Sequence, residues 1–306
     1  MKKKDLITID DLNHKEISDI LKLAGKLKKA PLSKKNVLKD KTLALLFQKP
    51  SSRTRISFEV AMVQLGGYVL YLSPREIKMG TREPVKDVAR VVSRYVDGIV
   101  ARVFSHRDIE DLARYSDVPV INGLSDLAHP CQALSDIFTI KERKKKLKKV
   151  TVTFIGDGNN VLNSLLMVCA MTGVNMKVST PEGYSPSKDI FDKASKIAAA
   201  NGAAFEMISD PHEAVRGTDV VYTDVWVSMG LEEEREKRLE VFKKYQVNEN
   251  LMRSAGEKTL IMHCLPAHRG EEITDVIDGK NSIVYDQAEN RMHVQKAILL
   301  KMLGKG

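Results

Sequence analysis

Ser51-Ser52-Arg53-Thr54-Arg55 packs three hydroxyls and two guanidinium groups into five residues. The apolar run Leu43-Ala44-Leu45-Leu46-Phe47 before it reads as a buried strand. The stretch from Ile56 to Leu65 after it repeats apolar residues near helical spacing and stops at Gly66-Gly67. A helix N-terminus presents unpaired backbone N–H groups and a partial positive charge. Guanidinium forks match phosphate oxygens, so Arg53, Arg55 and the hydroxyls form a candidate phosphate site. A capping serine followed by surface arginines accounts for the same residues.

Gly156-Asp157-Gly158-Asn159-Asn160-Val161 follows a strand pattern and opens a helical one, as a dinucleotide fingerprint does. Val161 stands where the third glycine belongs, and Ser179-Thr180 end the next strand without an acidic residue. Nicotinamide binding is therefore set aside, leaving a tight turn with two asparagines or a plain helix cap. His263 and His268 near Cys264 match no zinc spacing, and Pro266 interrupts a shared helical face, so no metal is expected. Taken alone, Cys264 is a small buried hydrophobe, and Trp226 and Met229 are core or loop residues.

The elements that must position these groups alternate. Candidate strands are Thr42–Phe47, Tyr68–Ser73, Gly98–Val103 and Val118–Asn122, then Val150–Ile155, Met176–Thr180, Ala204–Ile208, Asp219–Thr223, Thr259–Cys264 and Ser282–Tyr285. Helical patterns fill the gaps, notably Pro84–Tyr95, His106–Ser116 and Pro130–Lys146. Such alternation predicts an α/β chain of two domains, each a parallel sheet flanked by helices. The boundary is placed near Lys148, and a final helix, Gln287–Leu303, is expected to pack back on the first domain. Ligands of open α/β sheets bind beyond the carboxyl ends of strands. That rule selects Ser51–Arg55, Arg102 and His129-Pro130-Cys131-Gln132 in the first half. In the second it selects Gly156–Asn160, Asp224 through Gly230, and His263-Cys264-Leu265-Pro266, the outline of a bipartite cleft.

Composition narrows the partners. With 306 residues the chain can form two ordinary domains, and 43% hydrophobic against 29% charged residues is a globular balance. No apolar run approaches a membrane span, and the N-terminus does not read as a secretory signal. Cys131, Cys169 and Cys264 have no paired spacing, which fits a reducing cytoplasm. The net charge of +9 is concentrated in Lys2–Lys4, Lys26–Lys35 and Lys141–Lys149, read as solvated helix faces and ends rather than a nucleic-acid groove. A basic surface also collects small anionic substrates.

Taken together, Ser51–Arg55, His129-Pro130-Cys131-Gln132, Asp224 through Gly230, His263-Cys264-Leu265-Pro266 and Ala288-Glu289-Asn290-Arg291 occur in one order. In this the chain resembles the ornithine carbamoyltransferases of the aspartate/ornithine carbamoyltransferase superfamily over nearly its whole length. The resemblance implies transfer of the carbamoyl group from carbamoyl phosphate to the side-chain amine of L-ornithine, giving L-citrulline and phosphate. The setting would be arginine biosynthesis or the reverse, catabolic arginine deiminase route. It implies a carbamoyl phosphate-binding domain over 1–148, an ornithine-binding domain over 149–286, and a helix over 287–306 returning to the first.

By the same resemblance Ser51, Ser52, Arg53 and Thr54 hold the phosphate, and Arg102 reaches both phosphate and carbonyl oxygen. His129, Gln132 and Arg291 orient the carbamoyl end, with Cys264 and Leu265 beside it. Asn160, Asp224, Ser228 and Met229 bind ornithine, with Asp224 and Cys264 near its side-chain amine. Arg102, His129, Cys264 and Asp224 are thus the expected catalytic residues, with no covalent intermediate, cofactor or metal required. The loop around Ser228 to Gly230 is expected to close over ornithine, and Leu265-Pro266 matches a cis peptide in the family. The chain departs from the family pattern at two places: Ser52 replaces a usual threonine, and Lys78 stands where many relatives have glutamine. In the family that second position lies in a loop reaching a neighbouring subunit's active site, so the resemblance implies that Lys78 contacts carbamoyl phosphate there. A homotrimer or assembly of trimers is implied, with no nucleic acid and no membrane partner. The rival readings are a carbamoyltransferase for aspartate, putrescine or N-acetylornithine, and, more remotely, a basic nucleic-acid-binding protein. Asp224 favours ornithine over aspartate, whose second carboxylate would need a cation.

Overall fold

A computed structural model describes residues 4–228, 230 and 232–304. The chain divides into two units, Met1–Phe138 with Asn290–Gly306, and Thr139–Glu289. Each is a parallel sheet flanked by helices, and no described helix is long and apolar enough to cross a membrane.

In the first unit β1 (Thr42–Phe47), β2 (Tyr68–Leu72), β3 (Gly98–Arg102) and β4 (Val120–Leu124) lie in the order β2-β1-β3-β4, all parallel. The central strands are buried along nearly their full length, as the unbroken apolar runs Leu43–Phe47 and Ile99–Ala101 require of strands covered on both faces. β2 is an edge strand and alternates in exposure. Helix α1 (His14–Lys29) begins at a reciprocal cap between Asn13 and Glu16 and buries Ile17, Ile20, Leu21, Ala24 and Leu27. The helix that follows β1, α2 (Ser52–Gln64), and α3 (Pro130–Lys144) carry site residues at their N-terminal ends.

In the second unit β5 (Thr151–Ile155), β6 (Asn175–Ser179), β7 (Phe205–Met207), β8 (Val220–Thr223) and β9 (Leu260–His263) form the parallel order β7-β6-β5-β8-β9. Helix α4 (Asn160–Thr172) follows β5 and is buried over most of its surface, in keeping with its apolar sequence. Helix α5 (Arg235–Phe242) follows the segment after β8.

The expected strand Ser282–Tyr285 is not formed. Ser282 makes a single parallel bridge to Ile261, and Val284 already opens the last helix, α6 (Val284–Leu303). A short apolar run such as Ile283-Val284-Tyr285 has no periodicity to separate strand from helix, and the helix continues it. From Asn290 onward α6 belongs to the first unit, as expected of the C-terminal helix. Lys28 Nζ donates to Asn290 Oδ1 at 2.8 Å, and fully buried Lys296 donates to Gln64 Oε1 at 2.7 Å.

Candidate functional site

Strand order reverses between β1 and β3 in the first sheet and between β5 and β8 in the second. Polar loops that diverge at such points leave a crevice beyond the strand ends, the usual ligand position in open α/β sheets. The sequence places its densest polar clusters at these two points.

In the first unit Ser51 caps α2. Its Oγ accepts from Thr54 N at 3.4 Å and lies 3.1 Å from Thr54 Oγ1. Thr54 is buried and its Oγ1 accepts from Arg291 Nη2 at 2.8 Å, so α6 delivers one guanidinium to the first turn of α2. Arg53 is half-buried at this helix N-terminus, and Ser52 is exposed. Arg55 does not join them. It stacks over Tyr71, 3.9 Å from the ring centroid, and pairs with Glu59 at 2.8 Å. Residues two apart on a helix lie about 200° apart around its axis, so Arg53 and Arg55 cannot face one ligand. The opening reading of two phosphate-binding arginines in this motif is corrected to one.

Arg102 ends β3 and is buried, as are His129 and Gln132 where α3 begins. Burial first, then the charges of Arg291, Arg102 and Lys49, hold the His129 imidazole well below its usual pKa, so it is neutral at pH 7. Gln132 Nε2 donates to Asp136 Oδ1 at 2.8 Å, and its Oε1 has no donor among the described residues. Fully buried Asn122 shapes the loop leading to His129: its Nδ2 donates to Ile7 O at 2.9 Å and faces Ser125 Oγ and Ala128 O. Cys131, between His129 and Gln132, has its thiol pushed up to about 12 by burial.

Two further residues of this end were not singled out by sequence reading. Lys49 is buried just before Ser51, with Nζ 4.9 Å from the Phe104 ring centroid. Its neighbour Gln48 donates to Met79 O at 3.2 Å and Asp108 Oδ2 at 2.7 Å, and accepts from Phe104 N at 2.7 Å. Gln48 thereby fastens the loop that carries Lys78. Lys78 itself is exposed, in a left-handed turn (φ 37°), and makes no side-chain hydrogen bond or ion pair with the others among the described residues.

In the second unit Asn159 caps α4 through Oδ1, accepting from Val161 N at 3.0 Å and Leu162 N at 3.2 Å. Its Nδ2 donates to Asp224 Oδ2 at 2.8 Å, just beyond β8. Cys264 Sγ donates to Asp224 Oδ1 at 2.9 Å, just beyond β9. Asp224, Cys264 and the Asn159–Asn160 cap are therefore one cluster. Ser228 is half-buried farther along the same segment as Asp224, and Met229 lies outside the described residues.

Leu265 follows Cys264 and precedes a cis bond to Pro266. Leu265 N donates to His263 Nδ1 at 2.9 Å, and His263 Nε2 lies 3.1 Å from Glu272 Oε1, both side chains fully buried. Ligand-type atoms of Asp224, His263 and Cys264 cluster, as do those of His268, Glu271 and Glu272. Both ring nitrogens of His263 are nevertheless engaged within the fold.

The dinucleotide-like turn is filled by the chain itself. A Cβ at Gly158 would stand 2.4 Å from Ser185 C and Pro186 N, and Gly158 N donates to Tyr184 O at 2.8 Å. Only glycine permits this approach, and residues 184–186 lie over the turn where a pyrophosphate would sit.

Residues 4–142 match the family model described as the aspartate/ornithine carbamoyltransferase carbamoyl-P binding domain. Residues 148–302 match that of the Asp/Orn binding domain of the same family. The chain is 53% identical over 305 residues to the ornithine carbamoyltransferase of Archaeoglobus fulgidus, covering 99% of this chain and 98% of the other. It is 51% identical over 304 residues to the anabolic ornithine carbamoyltransferase of Pyrococcus furiosus, covering 98% and 96%. Among solved structures, ornithine carbamoyltransferase from Pyrococcus furiosus superposes with a TM-score of 0.95 at 51% identity, covering 98% of this chain and 97% of that one. The anabolic enzyme of Campylobacter jejuni gives 0.93 at 41% identity, covering 98% of each.

Proposed function

The chain belongs to the aspartate/ornithine carbamoyltransferase family, and we propose that it transfers the carbamoyl group of carbamoyl phosphate to the side-chain amine of L-ornithine. The products are L-citrulline and phosphate. The observation that carries this reading is the opposite charge of the two clusters. The first unit gathers Arg102, Arg291 and Lys49 around a neutral imidazole, with Arg291 on Thr54 and Arg53 in the same first turn of α2, which suits a dianionic phosphoryl donor. The second offers the Asp224 carboxylate, held on both oxygens, which suits a cationic amine.

In this account residues 1–148 bind carbamoyl phosphate, residues 149–286 bind ornithine, and the helix over 287–306 returns Arg291 to the first part. Ser51, Ser52, Arg53 and Thr54 hold the phosphate at the α2 N-terminus. Arg102, His129 and Thr54 face the carbonyl oxygen, with Gln132 and Arg291 orienting the carbamoyl group. Because His129 is neutral, it stabilises developing charge there by donating a hydrogen bond. Asn160, Asp224, Ser228 and Met229 hold ornithine, while Asp224 and Cys264 receive its amine and assist loss of the proton that attack requires. The amine nitrogen forms its bond to the carbamoyl carbon as the bond to the phosphate oxygen breaks, and phosphate leaves as an anion already paired with guanidinium groups. Leu265 borders the carbamoyl group, and the segment from Ser228 to Gly230 covers ornithine.

Two relatives called anabolic support synthesis, within arginine biosynthesis, over the reverse, catabolic route as the working direction. The assembly is a homotrimer or a multiple of trimers. Ile56, Val60 and Val63 form an exposed apolar stripe along α2, and Tyr68 and Leu70 are exposed on edge strand β2, which supports a subunit contact. Lys78 would serve a neighbouring subunit's phosphate as a point charge. Three free thiols support a cytoplasmic setting.

The test is an amine panel. The purified protein is mixed with carbamoyl phosphate and, separately, L-ornithine, L-aspartate, putrescine and N-acetylornithine, and phosphate and ureido product are measured. Product with L-ornithine alone is expected. Product only with another amine would refute the ornithine assignment.

A further inference from the structure

We infer that Arg238 is a positioning residue for the amine-binding cluster, one guanidinium that ties together the ends of β5 and β8. This rests on the ornithine reading above and extends it to a residue outside the motifs. Arg238 lies on α5 and is only 7% exposed. Its Nη1 donates to Asp157 Oδ2 at 3.0 Å and to Trp226 O at 2.9 Å. Its Nε donates to Glu234 Oε2 at 2.8 Å, and its guanidinium lies 5.0 Å from the Tyr184 ring centroid.

The two Nη1 acceptors matter because of where they sit. Asp157 lies in the turn after β5 and Trp226 in the segment after β8, the strands between which the sheet order reverses. Asn159, two residues after Asp157, donates to Asp224, two residues before Trp226. Each side of the Asn159–Asp224 hydrogen bond is thus anchored by the same buried cation. Asp157 accepts the ion pair although burial pushes its carboxyl above the usual carboxylate range, and the guanidinium works against that cost. Loss of Arg238 leaves a buried carboxylate and a carbonyl without their donor. Protonation can relieve Asp157 but not the Trp226 carbonyl, so the segment after β8 loses its anchor to the turn after β5 and the Asn159–Asp224 contact loosens.

The variants are Arg238→Met, Arg238→Lys and Asp157→Ala, checked for fold by circular dichroism. Arg238→Met is expected to raise KM for L-ornithine at least about tenfold with KM for carbamoyl phosphate held within about twofold. Arg238→Lys, which reaches fewer acceptors, is expected to fall between wild type and Arg238→Met. An unchanged ornithine KM, or equal rises in both KM values, would overturn the inference, as would a fall in kcat alone that tracks lost folded protein. If the methionine variant fails to fold, Asp157→Ala, which removes the acceptor on the β5 side, carries the same comparison.

Hydrogen exchange reads the tie without turnover. Peptides covering 156–162 and 224–228 are expected to exchange at least about fivefold faster in Arg238→Met, with the β6 peptide unchanged. Unchanged exchange would overturn the tie. A wild-type protein that makes no citrulline, yet whose variant shows this exchange pattern, would overturn the ornithine reading and keep the tie.

Discussion

Cys264 Sγ donates to Asp224 Oδ1 at 2.9 Å while Asn159 Nδ2 donates to Asp224 Oδ2 at 2.8 Å. The carboxylate is therefore fixed in plane from two strand ends and cannot turn away from a ligand without breaking a bond. Its position is set before ornithine binds, so little ordering is left to be done on binding.

Replacing that carboxylate separates the two substrates. Asp224→Ala is expected to weaken L-ornithine binding by about 10- to 100-fold, the cost of a charge-assisted hydrogen bond, with carbamoyl phosphate affinity unchanged. Calorimetric titration of each ligand checks this, and parallel losses of both would count against separate binding roles for the two units.

Arg53 stands at the N-terminus of α2, where helix and guanidinium charge add. Arg53→Ala is expected to lower kcat/KM at least about 10³-fold, since it removes both phosphate binding and leaving-group stabilisation. The melting temperature should stay within a few degrees, because the side chain makes no ion pair among the described residues. Near-normal turnover would refute its role.

The buried imidazole gives a stability signature. Burial and three nearby cations hold folded His129 below its ordinary value of 6.5, so the unfolded chain binds a proton that the native chain refuses. Stability is therefore unaffected above about pH 6.5 and falls as pH drops from there toward the folded pKa, by up to about 1.4 kcal/mol per pH unit. Melting curves at neutral and mildly acid pH should show a larger acid-induced drop for wild type than for His129→Gln. Equal drops would contradict the neutral imidazole.

Thiol chemistry distinguishes the cysteines. Cys131 is buried with its thiol pushed up to about 12, Cys169 is buried, and Cys264 is half-exposed beside Asp224. A thiol reagent should label Cys264 alone in the native protein, and Cys264→Ser should abolish labelling. Native labelling of Cys131 would contradict its burial.

Much of this was legible in the sequence because the signals were local. Mostly apolar runs alternating with helical patterns marked β1, β3, β5 and β8, and the polar residues at or beyond their carboxyl ends included Ser51, Arg102, Asn160 and Asp224. The Asn13–Glu16 cap of α1 was equally local, though only the structure drew attention to it. What stayed hidden depended on partners distant in sequence. Asn159 meets Asp224 across 65 residues and Arg238 meets Asp157 across 81, and neither spacing carries a pattern. Arg55 was misread for another reason: its residue type suited phosphate, but helical rotation turned it toward Tyr71 and Glu59. Short apolar runs such as Ile283-Val284-Tyr285 were ambiguous in kind, and tertiary burial decided for helix.

Carbamoyl phosphate labelled with ¹³C at the carbonyl, followed by NMR in the presence of wild-type protein and L-ornithine, tests the transfer itself. The label is expected to move to the ureido carbon of citrulline, with phosphate released in equal amount and no transfer when ornithine is omitted. Label that passes only to bicarbonate or cyanate, at a rate indifferent to ornithine, would contradict the account.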